Sequence, residues 1–143
     1  MTTNAPSAAL QGIRVLDFTR VLAGPYCTLS LGDLGAEIIK VENPAGGDET
    51  RKFLPPELEG ESTYFLHVNR NKKSVVLDLS QPEGKRIALE LSHRADVLVE
   101  NFRPGVLAKM GFGAACLREI NPALIVGSVN GYGSTGPYVD RPS

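Results

Sequence analysis

Short apolar runs alternate with segments of helical character along this chain, and the alternation restricts the fold more than any other feature. Each run has the length and the aliphatic composition of a buried strand. The five runs are residues 13–18, 37–41, 74–79, 96–100 and 124–129. Because strands that alternate with helices form mostly parallel sheets covered on both faces, the pattern predicts an α/β domain with three layers.

The first strand–helix–strand unit carries clear boundary signals. Pro25 suits the first turn of a helix, because the N–H group that proline lacks would have no intrahelical partner there. We expect this helix to reach about Leu34 and to place Leu29, Leu31 and Leu34 on its buried side. Gly35 is expected to end the helix, because glycine readily adopts the left-handed conformation of a helix terminus.

Later segments have recognisable starts as well. Ser62 is expected to cap a short helix that carries Phe65 and Val68. Pro82 suits the start of a longer amphipathic helix. Residues 42–60, between the second strand and Ser62, contain several prolines and glycines and predict a long irregular segment, which is often functional.

The fourth predicted strand runs into a polar, aromatic and cationic segment. The apolar residues 97–99 are followed by Glu100, Asn101, Phe102 and Arg103. In open α/β sheets, ligands bind outside the carboxyl ends of the strands. Asn101, Phe102 and Arg103 are therefore candidate ligand contacts, although an ordinary strand-to-helix loop has the same pattern.

Two further segments are compatible with an anionic ligand. Residues 70–73 form a basic cluster that is either a solvated turn or, together with Arg103 and Lys109, a site for a polyphosphate. The glycines of residues 131–136 would allow the backbone to approach a ligand closely. From the residues alone, the sequence predicts an α/β domain that binds a phosphorylated ligand.

Composition argues against several other classes of protein. The formal net charge of -1 gives no reason to expect nucleic acid or a membrane surface as a partner. No apolar run approaches the ~20 residues that span a bilayer, and the first nine residues do not resemble a secretory signal, so we expect a cytoplasmic protein. The two cysteines and two histidines lack metal-ligand spacing, so no metal is expected. The motif for NAD binding requires three glycines at fixed spacing, and the first strand–helix corner contains only Gly24. The sequence therefore argues against an NAD-binding domain.

From Leu10 onward the chain contains an ordered set of short motifs. They are residues 10–19, 23–25, 31–42, 69–74, 77–79, 95–105, 110–111, 121–122 and 131–137. Taken together, these motifs resemble the N-terminal portion of class III CoA-transferases. This family includes formyl-CoA:oxalate and carnitine CoA-transferases, and α-methylacyl-CoA racemases form a related branch.

The resemblance implies a Rossmann-like CoA-binding domain over residues 10–143, after a disordered segment 1–9, as an incomplete part of a larger interlocked dimer. It implies CoA and acyl-CoA as substrates, a carboxylic acid as acceptor and no prosthetic group. Where relatives often carry an arginine after the second strand, this chain has Asn43. The expected CoA contacts, to which Arg103 is added for its charge, are Val21, Leu22, Ala23, Asn43, Leu77, Asn101, Phe102, Arg103 and Lys109.

In this family an aspartate attacks the acyl-CoA and forms an anhydride and then an aspartyl-CoA thioester. The resemblance places that aspartate beyond Ser143, and Asp140 is not a candidate for it. We therefore expect a truncated chain that is inactive alone and aggregates through exposed apolar surface and an unpaired sheet edge. The alternatives are a fragment of an α-methylacyl-CoA racemase and a non-catalytic CoA-binding or assembly module.

Overall fold

The computed structural model describes residues 8–139 and 141, and these residues form a five-stranded parallel sheet with helices on both faces. The predicted α/β architecture is thereby confirmed. The strand order is β5-β2-β1-β6-β7. The sheet strands are β1 (Arg14–Asp17), β2 (Glu37–Glu42), β5 (Lys72–Val76), β6 (Val97–Glu100) and β7 (Ile125–Ser128), and a separate hairpin pairs β3 (Glu57–Leu58) with β4 (Glu61–Ser62).

The helices complete the layers. They are α1 (Ala23–Asp33), α2 (Thr63–Asn69), α3 (Pro82–Arg94) and α4 (Ala114–Ile120), with a 3-10 turn over Glu49–Lys52 and a π-helical turn over Ala108–Phe112. Residues 1–7, which make up most of the segment expected to be disordered, lie outside the described residues, as does Asp140. In the part of the chain that the structure describes, no helix has both the length and the apolar character needed to cross a bilayer.

Alternation of side chains along the strands divides the core between the two faces of the sheet. On one face, Leu16 and Leu98 pack in a cluster with Ala88 of α3 and Leu117 of α4. On the other face, a second cluster is centred on Val15, with residues of α1 packed against it. The sheet is therefore packed against helices on both of its faces.

The end of α1 differs in one respect from the sequence-based expectation. Gly35 has a φ of +100°, as a residue that ends a helix by a left-handed turn requires. Leu34, however, is 50% exposed, and its predicted burial is wrong. Because α1 ends at Asp33, Leu34 lies beyond the helical face that packs on the sheet.

The third sheet strand begins two residues earlier than predicted. Lys72 and Lys73 pair with Ile38 and Ile39 of β2, so half of the expected basic turn belongs to a strand. After Val76 the chain leaves the sheet. Ser62, by contrast, caps α2 as predicted, since its hydroxyl accepts a hydrogen bond from the N–H of Phe65 at 3.3 Å.

Strand β7 forms one edge of the described sheet. Its residues Ile125 and Val126 are 65% and 42% exposed, respectively. An apolar strand with unpaired backbone groups favours association with another chain or segment.

We expect Gly84→Ala to destabilise the fold. Gly84 is buried near the start of α3, and a Cβ atom at this position would collide with the carbonyl oxygen of Asp78. The collision is with backbone and cannot be relieved by a rotamer change, so the free energy of unfolding should fall by about 1–3 kcal/mol.

Gly127→Ala provides the control for urea unfolding, because the nearest atom to a Cβ there is 3.9 Å away, which is an ordinary contact. Equal unfolding midpoints for the two variants would contradict this packing of α3.

Candidate ligand-binding site

A cavity of about 390 Å³ opens at the carboxyl ends of β1, β2 and β5. This is the position at which parallel α/β sheets bind ligands. The walls are formed by residues 18–20, 40–43, 47–48 and 77–80, and by Phe102, Val106 and Met110.

Apolar side chains supply much of the cavity surface. Phe18 and Leu77 are almost fully buried and take part in the same core cluster, against which Phe102 and Met110 also pack. Phe18 is fixed by an edge-to-face contact with Phe112 at a centroid distance of 5.2 Å. Such surfaces suit an aromatic ring or an extended, partly apolar chain.

One wall of the cavity depends on a buried ion pair. The Lys40 ammonium lies 2.9 Å from Asp48 Oδ2 and donates a hydrogen bond to the carbonyl oxygen of Thr19 at 2.7 Å. Both charged side chains are at most 2% exposed. Burial raises the pKa of Asp48, but the Lys40 charge and hydrogen bonds from Thr50 lower it by more, so the pKa lies below its usual value and the carboxylate is ionised.

Asp48 also connects this wall to the turn after β1. Its Oδ1 accepts a hydrogen bond from the N–H of Val21 at 3.3 Å. Val21 has a φ of +69°, which is unfavourable for a β-branched residue. The surrounding contacts must therefore hold the turn in this conformation.

A second buried ion pair lies between the sheet and α1. Lys72 Nζ is 3.1 Å from Asp17 Oδ2 and donates a hydrogen bond to the carbonyl oxygen of Pro25 at 2.9 Å. Burial lowers the pKa of Lys72 below its usual value despite the Asp17 charge. Lys72 lies at the amino end of its strand and Arg103 lies beyond the carboxyl end of β6, so the structure does not bring the basic cluster and Arg103 together.

Glu42 is held by a third ionic contact, at the end of β2. Arg51 donates hydrogen bonds to both of its carboxylate oxygens, at 2.8 and 2.7 Å, and Ser74 donates another at 2.7 Å. Burial raises the pKa of Glu42, but these bonds outweigh it and the pKa falls to about 2. The Arg51 guanidinium lies 3.7 Å from the ring centroid of Phe65, which fixes this irregular segment onto α2.

The structure divides the predicted contact residues into three groups: those that line the larger cavity, those that line a smaller one and those that line neither. Asn43, Leu77 and Phe102 line the larger cavity. Asn101, Phe102 and Arg103 line a smaller cavity of about 90 Å³ beside residues 130–133. The predicted residues that line neither of these cavities are Val21, Leu22, Ala23 and Lys109.

Two of the predicted residues already have structural partners. The Asn101 amide accepts a hydrogen bond from the Arg20 N–H and donates one to the Arg20 carbonyl, both at 2.8 Å. The Asn43 amide donates to the carbonyl oxygen of Gly47 at 3.1 Å and accepts from the N–H of Ala45 at 2.8 Å. Both side chains thus shape loops at the cavity.

Sequence reasoning missed Arg20, Asp78 and Ser80, which line the larger cavity. The signal was present, because these residues follow β1 and β5 as Asn101 follows β6. Applying the rule for carboxyl ends of strands to every strand would have included them.

The family model described as CoA-transferase family III matches residues 10–143. The chain belongs to this family. It is 54% identical over 132 residues to a succinyl-CoA:glutarate CoA-transferase from Mus musculus, covering 92% of this chain and 30% of the relative. It is 51% identical over 141 residues to a succinyl-CoA–L-malate CoA-transferase beta subunit from Chloroflexus aurantiacus, covering 99% of this chain and 34% of the relative.

A solved structure agrees with this membership of CoA-transferase family III. Rv3272 from Mycobacterium tuberculosis superposes with a TM-score of 0.88 at 47% sequence identity, covering 97% of this chain and 38% of that one. The chain therefore spans about a third of the length of these family members.

We expect Asp48→Asn to destabilise this family III domain by about 3–5 kcal/mol, because it leaves the buried Lys40 charge without its counter-ion. Glu83→Gln is the matched control, since Glu83 forms a solvent-exposed ion pair with Arg86 at 2.7 Å and such pairs contribute little to stability. Urea unfolding at neutral pH measures both. A loss for Asp48→Asn no larger than that of the control would contradict the role of the buried pair.

Glu42 should make the domain sensitive to acid. Its pKa is about 2 in the folded state against an ordinary value of 4.5, so its contribution is complete above pH 4.5 and is lost as the pH falls toward 2. Glu42→Gln should be less stable at neutral pH and lose less stability between pH 5 and 2. Glu59→Gln, which changes an exposed acid, should follow the wild-type curve. Parallel curves for wild type and Glu42→Gln would refute this assignment.

Proposed function

We propose that this chain supplies the CoA-binding part of an enzyme that transfers CoA from an acyl-CoA to a carboxylic acid. The observation that carries the proposal is the cavity at the carboxyl ends of the sheet, in a chain that belongs to CoA-transferase family III. The relatives named above are a succinyl-CoA:glutarate and a succinyl-CoA–L-malate CoA-transferase.

The apolar surface of the larger cavity supports a CoA ligand. Leu77 and Phe102 offer faces that suit the adenine ring or the pantetheine chain. Asn43 follows β2 and also lines the cavity, where its amide holds the turn at residues 43–47. We assign these three residues direct contact with CoA.

The other predicted contacts are proposed for the CoA groups that extend beyond this cavity. Arg103 and Lys109 are exposed cations and can meet phosphate charge. Lys109 adjoins Met110, which lines the larger cavity. Asn101 and the residues Val21–Ala23 shape the turns beside it.

The proposed reaction proceeds through covalent steps on an aspartate outside the sequence described. Its carboxylate attacks the acyl-CoA carbonyl carbon and the C–S bond breaks. This step forms a mixed anhydride between the aspartate and the acyl group and releases CoA thiolate. The thiolate then attacks the aspartyl carbonyl, which releases the donor acid and forms an aspartyl-CoA thioester. The acceptor carboxylate reverses these steps and leaves as its CoA thioester. In this scheme the chain retains CoA between the steps, and the whole enzyme acts as a homodimer.

Phe102→Ala should weaken CoA binding about tenfold, because it removes an aromatic face of the cavity. Isothermal titration of the chain with CoA measures this. Leu58→Ala is the control, since Leu58 is 61% exposed in the β3–β4 hairpin and does not line the cavity.

Absence of CoA binding by the unaltered chain would refute the proposed function. Tighter binding of NAD than of CoA would refute it as well. CoA binding combined with racemisation of a 2-methylacyl-CoA by the whole enzyme would instead identify the racemase branch.

A further inference from the structure

We propose that the Arg20 guanidinium binds an oxyanion of the ligand and that Glu49 forms an ion pair with this guanidinium until the ligand binds. The inference rests on the proposed function, because it concerns the same cavity. It adds an anion-binding residue that the sequence did not predict.

Among the described residues, two cations line the larger cavity, Arg20 and Lys40, and of these Arg20 is the one that can bind a ligand. Lys40, the other, is 1% exposed and is engaged by Asp48 and the Thr19 carbonyl. The Arg20 side chain is 47% exposed, and its pair with Glu49 spans 3.6 Å. Exposed pairs of this length contribute little free energy, so an incoming anion can displace Glu49.

The position of Arg20 is fixed at both ends of the side chain. Asn101 holds its backbone N–H and carbonyl through two hydrogen bonds of 2.8 Å. At the other end, the guanidinium lies 5.3 Å from the ring centroid of Phe102, within the range of a cation–π contact. A guanidinium that is oriented before binding loses less conformational freedom when it forms paired hydrogen bonds with an oxyanion.

The other charges around the cavity place the anion on the side of Arg20. Glu42 and Asp48 are neutralised by Arg51 and Lys40. Asp78 also lines the cavity, where its carboxylate accepts hydrogen bonds from the N–H and hydroxyl of Ser80 at 2.9 and 2.6 Å. Because Asp78 repels anions, the favourable location is beside Arg20 and Phe102.

Two parts of the ligand carry suitable chemistry. One is a phosphate of CoA, and the other is the terminal carboxylate of an acyl group derived from a dicarboxylic acid. Both are oxyanions that a guanidinium binds through two parallel N–H bonds. Matched probes separate the two sources: CoA against pantetheine, and succinyl-CoA against butyryl-CoA.

The test measures the affinity of the chain and its variants for these four probes by isothermal titration. Within the probe pair that differs by the recognised anion, Arg20→Gln should weaken binding of the member that carries this anion about tenfold. Arg20→Lys should weaken it less. Glu49→Gln should strengthen the same binding about twofold, because it removes the competing carboxylate. The double variant should behave like Arg20→Gln. A purely structural role for Arg20 would not make Glu49→Gln bind more tightly.

The results also identify the anion. A smaller preference of Arg20→Gln for succinyl-CoA over butyryl-CoA indicates the acyl carboxylate, and a smaller preference for CoA over pantetheine alone indicates a phosphate. If the unaltered chain binds CoA and Arg20→Gln keeps every preference, the inference fails while the proposed function stands. If the unaltered chain binds none of the probes, both fail. Thermal melting of each variant establishes that it remains folded.

Discussion

The buried ion pair between Lys40 and Asp48 is the contact on which the candidate site depends. Lys40 lies in β2, whereas Asp48 lies in the irregular segment that follows it. Burying two charges is costly, and hydrogen bonds from Thr50 to Asp48 Oδ1 and from Lys40 to the Thr19 carbonyl offset part of that cost. The pair therefore selects one conformation for a segment that has little regular structure of its own.

The same pair organises the turn after β1. Asp48 accepts a hydrogen bond from Val21, whose left-handed backbone is unfavourable for a valine. On the far side of the segment, Glu42 and Arg51 repeat the arrangement, and Arg51 is stacked against Phe65 of α2. The cavity thus has a rigid sheet below it and walls that are tied by charged contacts, which is the kind of support that a ligand-binding site requires.

Local patterns predicted the parts of the fold that local interactions determine. The alternating strands, the left-handed Gly35 and the Ser62 cap all follow from residue types within a few positions of each other. The start of β5 was missed because Lys72 looks like a surface cation, and its burial depends on Asp17, which is 55 residues away. The rule for carboxyl ends of strands would have included Arg20, which follows β1. Its contacts with Asn101 and Phe102, which follow β6, could be read only from the structure. The CoA contacts expected from the family resemblance stay a prediction. Only the structure shows which of those residues line the larger cavity, which line the smaller one and which line neither.

We propose that CoA binds at the carboxyl ends of β1, β2 and β5 in this domain. Amide NMR of the chain during a CoA titration tests it most directly. We expect saturable shift changes that concentrate at residues 18–20, 77–80 and 102–110, with little change in the hairpin at residues 57–62. Shift changes that concentrate elsewhere on the fold, or no saturable change at all, would contradict it.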